Sequence, residues 1–222
     1  MGGAMATGTA MVGLQRNTLR MQAIEALRRA ITTGELAPGS HVSEIEMSTR
    51  LQISRGTLRE AMRTLQLEGL LTEGSRGRLL VRRMDDEELR DLFRVRAALE
   101  ALAVRTLAER PDRHEIVAAL RTAVGRMSAA ENEPLDVRMQ ADLDFHREMC
   151  QLSGNETLLR AWSALEGSIQ MSITRSGIER AVRNMDVPRH LQIVDAIDTG
   201  DPEHAVATLQ EHMALATQTL IS

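Results

Sequence analysis

Three of the six histidines in this 222-residue chain sit where apolar side chains are expected. His146 shares a helical face with Met139, Leu143 and Met149, His190 with Val194 and Ile197, and His212 with Ala205, Leu209 and Ala216. Asp142, one turn before His146, points the same way. A lone histidine on an apolar face is more often a hydrogen-bonded core residue. Three of them with an aspartate at i−4 are harder to leave as neutral core, because every buried polar group needs a partner. A single divalent ion would satisfy all four, and imidazole with carboxylate suits Zn²⁺, Ni²⁺, Mn²⁺ or Fe²⁺ rather than Cu(I). Asp144 and Glu148 fall on other faces, so no general base is evident and a sensing site is favoured over a catalytic one. No catalytic residue is assigned. His41, His114 and His204 fall in a loop or in first helical turns, where solvent is expected.

A second set of residues suits polyanion recognition. Arg55, Arg59 and Arg63 recur at i, i+4, i+8, away from the face made by Leu58, Ala61, Met62 and Leu65. The planar guanidinium pairs with guanine O6 and N7 or with phosphate. A solvated charged helix face gives the same pattern, so the flanking elements decide. Ser43 with Glu46 reads as a capping box and opens a short helix through Met47 and Leu51, and Ser54 is the next N-cap. Two short helices around a tight turn form a helix-turn-helix. Beyond them, Gly69 to Thr72 and Leu79 to Val81 read as strands around the basic turn Gly74-Ser75-Arg76-Gly77-Arg78, which makes a wing.

The elements that must position these groups are helical. A helix over 18–33 carries Ile24, Leu27 and Ile31 and stops at Gly34. From Met84 onward, four carboxylates at 85–88 start a helix that runs to about Arg110. Asp112 with Glu115 reads as another capping box, and Leu135 to Ser153 as a further helix broken by Gly154-Asn155. A helix through Trp162 follows, then a short segment at Ile178 to Asn184, a helix opened by Pro188, and a last one opened by Asp201-Pro202. The fold class is therefore mainly α. A winged helix-turn-helix of three helices and a small β-hairpin precedes an antiparallel all-α bundle of six or seven helices. Residues 1–14 are expected to be an unstructured arm, native or appended, 15–83 the winged module and 84–222 the bundle.

Composition agrees with this division. Residues 1–83 hold twelve Arg against seven acidic residues, a net of +5, and residues 84–222 fifteen Arg against 24, a net of −9. A basic module on an acidic remainder fits a polyanion binder joined to something that does not touch the polyanion. With one Trp, two Phe and no Tyr, the core must come from aliphatic residues and Met, which favours helices. The single Cys150 excludes an intramolecular disulfide and fits a reducing compartment. No apolar run is long enough to span a membrane.

With these residues on the page, the chain resembles the GntR superfamily of bacterial transcription regulators, in its FadR-like branch with an FCD-type effector domain. The resemblance covers about 15–220. It rests on Gly34-Glu35-Leu36-Ala37-Pro38-Gly39, Ser43-Glu44, Ser54-Arg55, Leu58-Arg59-Glu60-Ala61 and Glu68-Gly69-Leu70. In the second part it rests on Arg96-Ala97-Ala98-Leu99-Glu100, Asp142-x-x-Phe145-His146, Ser153-Gly154-Asn155, His190 and His212. It implies a cytoplasmic, nucleoid-associated homodimer that binds a palindromic DNA operator, most often as a repressor, under control of a small organic acid effector. By carry-over Ser43, Ser54, Arg55, Gly56, Thr57, Arg59, Arg63, Arg76 and Gly77 serve DNA. Asp142, His146, His190 and His212 hold the metal, and Arg96 and Asn155 meet the effector. The bland reading of Arg96 is a salt bridge with Glu100 at i+4. Ile45 stands where some relatives carry Arg, Gly56-Thr57 replaces a commoner Thr-Pro, and the wing is shortened. The competing readings are a metalloenzyme built on the Asp/His set and a regulator that senses the metal itself.

Overall fold

The computed structural model describes residues 9–175 and 178–221, and the chain divides into two compact units, residues 1–83 and 84–222. The first unit holds helices α1 (Thr9–Thr32), α2 (Glu44–Arg50) and α3 (Arg55–Leu67), then strands β1 (Leu71–Glu73) and β2 (Leu79–Val81). α1 buries Ala23, Ile24, Leu27 and Ile31 on one stripe and packs on α3, whose Leu58, Ala61, Met62 and Leu65 are fully buried. The Arg28 guanidinium grips both oxygens of Glu68, at 2.8 and 2.9 Å from Nη2, fastening α1 to the end of α3. Helix α1 begins at Thr9, so residues 9–14, expected in an unstructured arm, are helical; residues 1–8 lie outside the described part.

α2 and α3 are separated by Leu51 to Ser54, and Gln52 takes the left-handed conformation at φ 53° to make the turn tight. Ser43 Oγ accepts from the Glu46 amide at 3.4 Å, one limb of the expected box, and Ser54 Oγ accepts from Thr57 at 3.1 Å. β1 and β2 pair antiparallel with Leu71 opposite Val81 and Glu73 opposite Leu79. The preceding loop joins them: the Val42 amide donates to Leu79 O at 2.9 Å, Val81 to Ser40 O at 2.9 Å. A 3-10 turn at Ser75–Gly77 forms the tip, where Gly77 sits at φ +69°, a conformation that disfavours any side chain.

The second unit is made of α4 (Asp86–Glu109), α5 (Arg113–Ala129), α6 (Leu135–Leu152), α7 (Glu156–Arg175), α8 (Ile178–Asn184), α9 (Val187–Asp198) and α10 (Pro202–Ile221). α4 packs against α6, α7, α9 and most extensively α10, while α5 packs on α6 and α9. Asp85 forms a full capping box with Glu88 at the start of α4. The box expected of Asp112 and Glu115 does not form: the Asp112 carboxylate takes the Arg110 guanidinium at 2.8 and 2.6 Å instead of the helix amides. Asp201 caps α10 through the Glu203 and His204 amides at 3.0 and 3.1 Å. Among the described residues no helix is long and apolar enough to cross a membrane.

Candidate DNA-binding face and candidate metal centre

The arginine row lies on the exposed side of α3, opposite its buried stripe. Its three members are not equivalent. Arg55, in the first turn, has no hydrogen bond or ion pair among the described residues. Arg59 is held by Glu44 of α2, with Nε at 3.1 Å and Nη2 at 2.9 Å from the carboxylate oxygens. Their mutual hydrogen bond lowers the Glu44 pKa and raises that of Arg59. Arg63 pairs with Glu60 at 3.1 Å. Glu44 thus spans the two helices of the motif, and sequence reading passed over it because nothing in its spacing ties it to a residue fifteen positions on. Ser54 and Thr57 link through their hydroxyls at 2.9 Å, and a side chain at Gly56 would meet Ser54 Oγ at 3.8 Å, an ordinary contact. Ser43 serves as the α2 cap and Gly77 is exposed at the wing tip. The side chain of Arg76 lies outside the described part. Ile45 is 61% exposed.

The four groups expected at a metal come together in the second unit. Asp142 and His146 from α6, His190 from α9 and His212 from α10 are all buried, and ligand nitrogens of the three histidines lie within 4.8 Å of one another. The hydrogen bonds around them fix which atoms face inward. His190 Nδ1 lies 2.8 Å from the Asp186 carbonyl oxygen, which only accepts, so Nδ1 carries a proton and Nε2 is the atom left to act as a ligand. His146 Nδ1 likewise donates to Glu100 Oε2 at 2.7 Å. The two Nε2 atoms then face each other at 3.2 Å, with Asp142 Oδ1 3.0 Å from His190 Nε2. Asp142 Oδ2 and His212 Nδ1 are buried with no hydrogen-bond partner among the described residues. A cluster of buried acceptors without a donor is costly by itself and suits a cation. A histidine whose outer N–H is tied to a carboxylate or carbonyl is the usual supporting arrangement for a metal ligand.

Electrostatics favour the ligand form of Asp142, His146 and His212. Burial lowers the His146 pKa, against the pull of Glu100, and pushes His212 well below the ordinary histidine range, helped by His190 and His146. Burial alone would raise Asp142 and Glu100, but His190 beside the first, and His146 and Arg96 beside the second, outweigh it and bring each to about 2. Burial thus favours the neutral form of His146 and His212, and the carboxylates of Asp142 and Glu100 stay ionised.

Glu100 is the residue that the sequence reading undervalued. Fully buried, it accepts from Arg96 Nε at 2.8 Å, Trp162 Nε1 at 2.8 Å and His146 Nδ1 at 2.7 Å. Arg96 therefore makes the i+4 pair, but in the interior; its Nη2 is buried without a partner among the described residues and its guanidinium lies 5.4 Å over Phe93. Asn155, expected at the effector, is exposed and caps α7 through the Thr157 and Leu158 amides at 3.2 and 3.0 Å. That carboxamide oxygen is already committed to helix geometry rather than to the histidine set. His41, His114 and His204 are exposed.

A capped helix-turn-helix with a hairpin wing, and a separate helical unit with an inward Asp/His set, define the class of two-part bacterial DNA-binding regulators. Comparison with known proteins gives the family. Residues 19–81 match the model for bacterial regulatory proteins of the gntR family, and 91–215 match the FCD domain. The chain is 33% identical over 208 residues to a probable D-xylose utilization operon transcriptional repressor of Paenarthrobacter nicotinovorans, covering 90% of this chain and 88% of that one. It is 30% identical to the Nta operon transcriptional regulator of Aminobacter aminovorans, covering 79% and 82%. Among solved structures, E. coli McbR/YncC superposes with a TM-score of 0.72 at 18% identity, covering 91% of this chain and 96% of that one. A GntR regulator of Rhodococcus sp. RHA1 gives 0.73 at 23%, covering 92% and 98%; both likenesses concern the fold. The chain belongs to the GntR family of transcription regulators and carries an FCD domain; the family and these relatives are regulators, not enzymes.

Proposed function

We propose that the chain is a ligand-responsive repressor of the FadR-like branch. Residues 15–83 read the operator, and residues 84–222 bind a divalent metal, a small organic acid and a second copy of the chain. The observation that carries this reading is the convergence of Asp142 Oδ1, His190 Nε2 and His146 Nε2, with Asp142 Oδ1 3.0 Å and His146 Nε2 3.2 Å from His190 Nε2, three acceptors when both rings are neutral. Asp142, His146, His190 and His212 would hold the ion, with Glu100 and the Asp186 carbonyl orienting two of the rings. A bound divalent ion would supply a Lewis-acidic position for an effector carboxylate oxygen. The repressor assignment draws on the printed name of the Paenarthrobacter relative.

On the DNA side, Arg55, Arg59 and Arg63 of α3 contact bases and phosphates in the major groove, with Ser54, Gly56 and Thr57 at the helix start and the wing around Gly77 alongside. A homodimer would present two such helices to half-sites related by about one helical turn of DNA, about 34 Å, or less. Metal analysis of the dialysed protein tests the first part. The wild type is expected to retain a transition metal that His146→Ala and His190→Ala lose, and equal metal in all three would refute the site. Duplex selection followed by a salt titration tests the second. Arg55→Ala with Arg59→Ala is expected to weaken binding and flatten its salt dependence. A selected duplex bound equally well by that variant would remove those residues from the contact.

A further inference from the structure

Resting on the reading of α3 as the helix that meets DNA, we propose that Glu44 is a specificity residue: it holds Arg59 with its free fork toward a base edge and keeps that arginine off phosphates. A guanidinium has five N–H donors in one plane, one on Nε and two on each Nη. Glu44 takes the side-on edge, with Nε at 3.1 and 3.2 Å from the two carboxylate oxygens and Nη2 at 2.9 Å from Oε2. The remaining edge, made of Nη1 and the second N–H of Nη2, has no hydrogen bond among the described residues. That edge is a two-pronged donor of the kind that pairs with guanine O6 and N7. The brace also comes from another helix: Glu44 is the first residue of α2 and Arg59 lies in the second turn of α3, so the packing of the two helices sets its direction. Arg63 makes a single bond to Glu60 of its own helix at 3.1 Å, and Arg55 makes none among the described residues. Of the three arginines, Arg59 alone is aimed.

Charge shows that this brace does not serve affinity. The Arg59 and Glu44 side chains are 57% and 33% exposed, so the pair lies on the accessible face, and the Glu44 charge also reaches Arg55. A carboxylate there opposes a polyanion at any distance within the screening length, about 8 Å at physiological salt. Binding to arbitrary DNA is mostly neutralisation of phosphates by basic side chains. To join it, Arg59 must leave Glu44; to read a base with its free fork, it keeps every bond it has. The pair thus penalises the unspecific contact and spares the specific one, which is selection by opposing the wrong state.

The test uses the full chain and two duplexes of equal length, one selected for binding and one of the same composition in scrambled order. Kd is measured by fluorescence anisotropy over a salt series for the wild type, Glu44→Gln, Arg59→Ala and the double variant. Gln keeps the size and helix propensity of Glu, and the melting temperature checks that each variant folds. In Glu44→Gln the scrambled duplex is expected to bind about fivefold tighter, the upper range for an exposed ion pair, with a salt slope steeper by about one. The selected duplex gains nothing, so the ratio of the two Kd values falls about fivefold. In the Arg59→Ala background the same change leaves the ratio unaltered, because Glu44 acts through Arg59. Glu44→Gln that tightens both duplexes equally, with or without Arg59, marks plain charge repulsion and overturns the inference alone, as does a ratio equal to that of the wild type. Arg59→Ala that binds both duplexes like the wild type overturns the reading of α3 beneath it.

Discussion

Replacing Glu100 by Gln removes the charge on which Arg96, Trp162 and His146 converge, and leaves a buried guanidinium without its counter-ion. Breaking a buried pair from one side costs on the order of 3 kcal/mol, and losing the carboxylate behind a metal-binding histidine costs about tenfold or more in metal affinity. Urea unfolding and chelator competition on Glu100→Gln should show both; an unchanged midpoint would mean that the interior network is dispensable. Acid should act on the same residues. In the chelator-treated protein His146 and His212 have lowered pKa values, so below the ordinary histidine value of about 6.5 the unfolded chain binds protons that these rings resist. Stability must fall as pH drops from 7 toward 5. Below about 4.5 the lowered pKa values of Glu100 and Asp142 extend the loss. His212→Leu is expected to flatten the slope of melting temperature between pH 7 and 5, and an unaltered slope would contradict the assignment. The histidine faces were legible in sequence because i, i+3, i+4 spacing to aliphatic residues fixes direction on a helix. Glu100 was not, because Arg96 followed by Glu at i+4 resembles a surface pair. The signal was there in the continuation of Leu89 and Phe93 through 96 and 100 to Ala103 and Leu107, a stripe in which two charged residues occupy core positions.

Helices α2, α3 and α4 start on a side-chain cap, whereas α5, α6 and α9 start without one. Asp85-x-x-Glu88 and Asp112-x-x-Glu115 carry the same sequence pattern, yet only the first makes a capping box, because Arg110 claims the second aspartate. Asp85→Ala should cost about 1 kcal/mol in urea unfolding, whereas Asp112→Ala should be close to neutral; a reversed order would contradict the cap assignment. Ser54→Ala should cost about 1 kcal/mol and also weaken DNA binding, since Ser54 starts the helix that carries Arg55. The same logic explains what sequence missed at this scale. Helix periodicity and Gly or Pro stops gave the helices from α2 onward. The extension of α1 back to Thr9 crosses a Gly- and Thr-containing stretch of weak propensity, which local pattern does not read as helix. The pairing of Ser40 to Val42 with β2 depends on contacts some forty residues apart, beyond the reach of spacing arguments.

At the scale of the whole molecule, the sign of charge marks the same division as the contacts: a basic unit with the arginine row and an acidic unit with the buried Asp/His set. Membership of the GntR family makes the first a DNA reader. The central claim is that occupancy of the second sets the affinity of the first. The direct measurement is the Kd of the metal-loaded protein for its selected duplex, by fluorescence anisotropy, with and without a saturating small organic acid found by calorimetric screening. A coupling typical of regulators shifts Kd by about tenfold, and the shift should vanish in His146→Ala, which still folds its DNA-binding unit if its duplex affinity without ligand is unchanged. A Kd that stays constant while the ligand saturates the wild type, or a shift that survives in His146→Ala, would contradict the account.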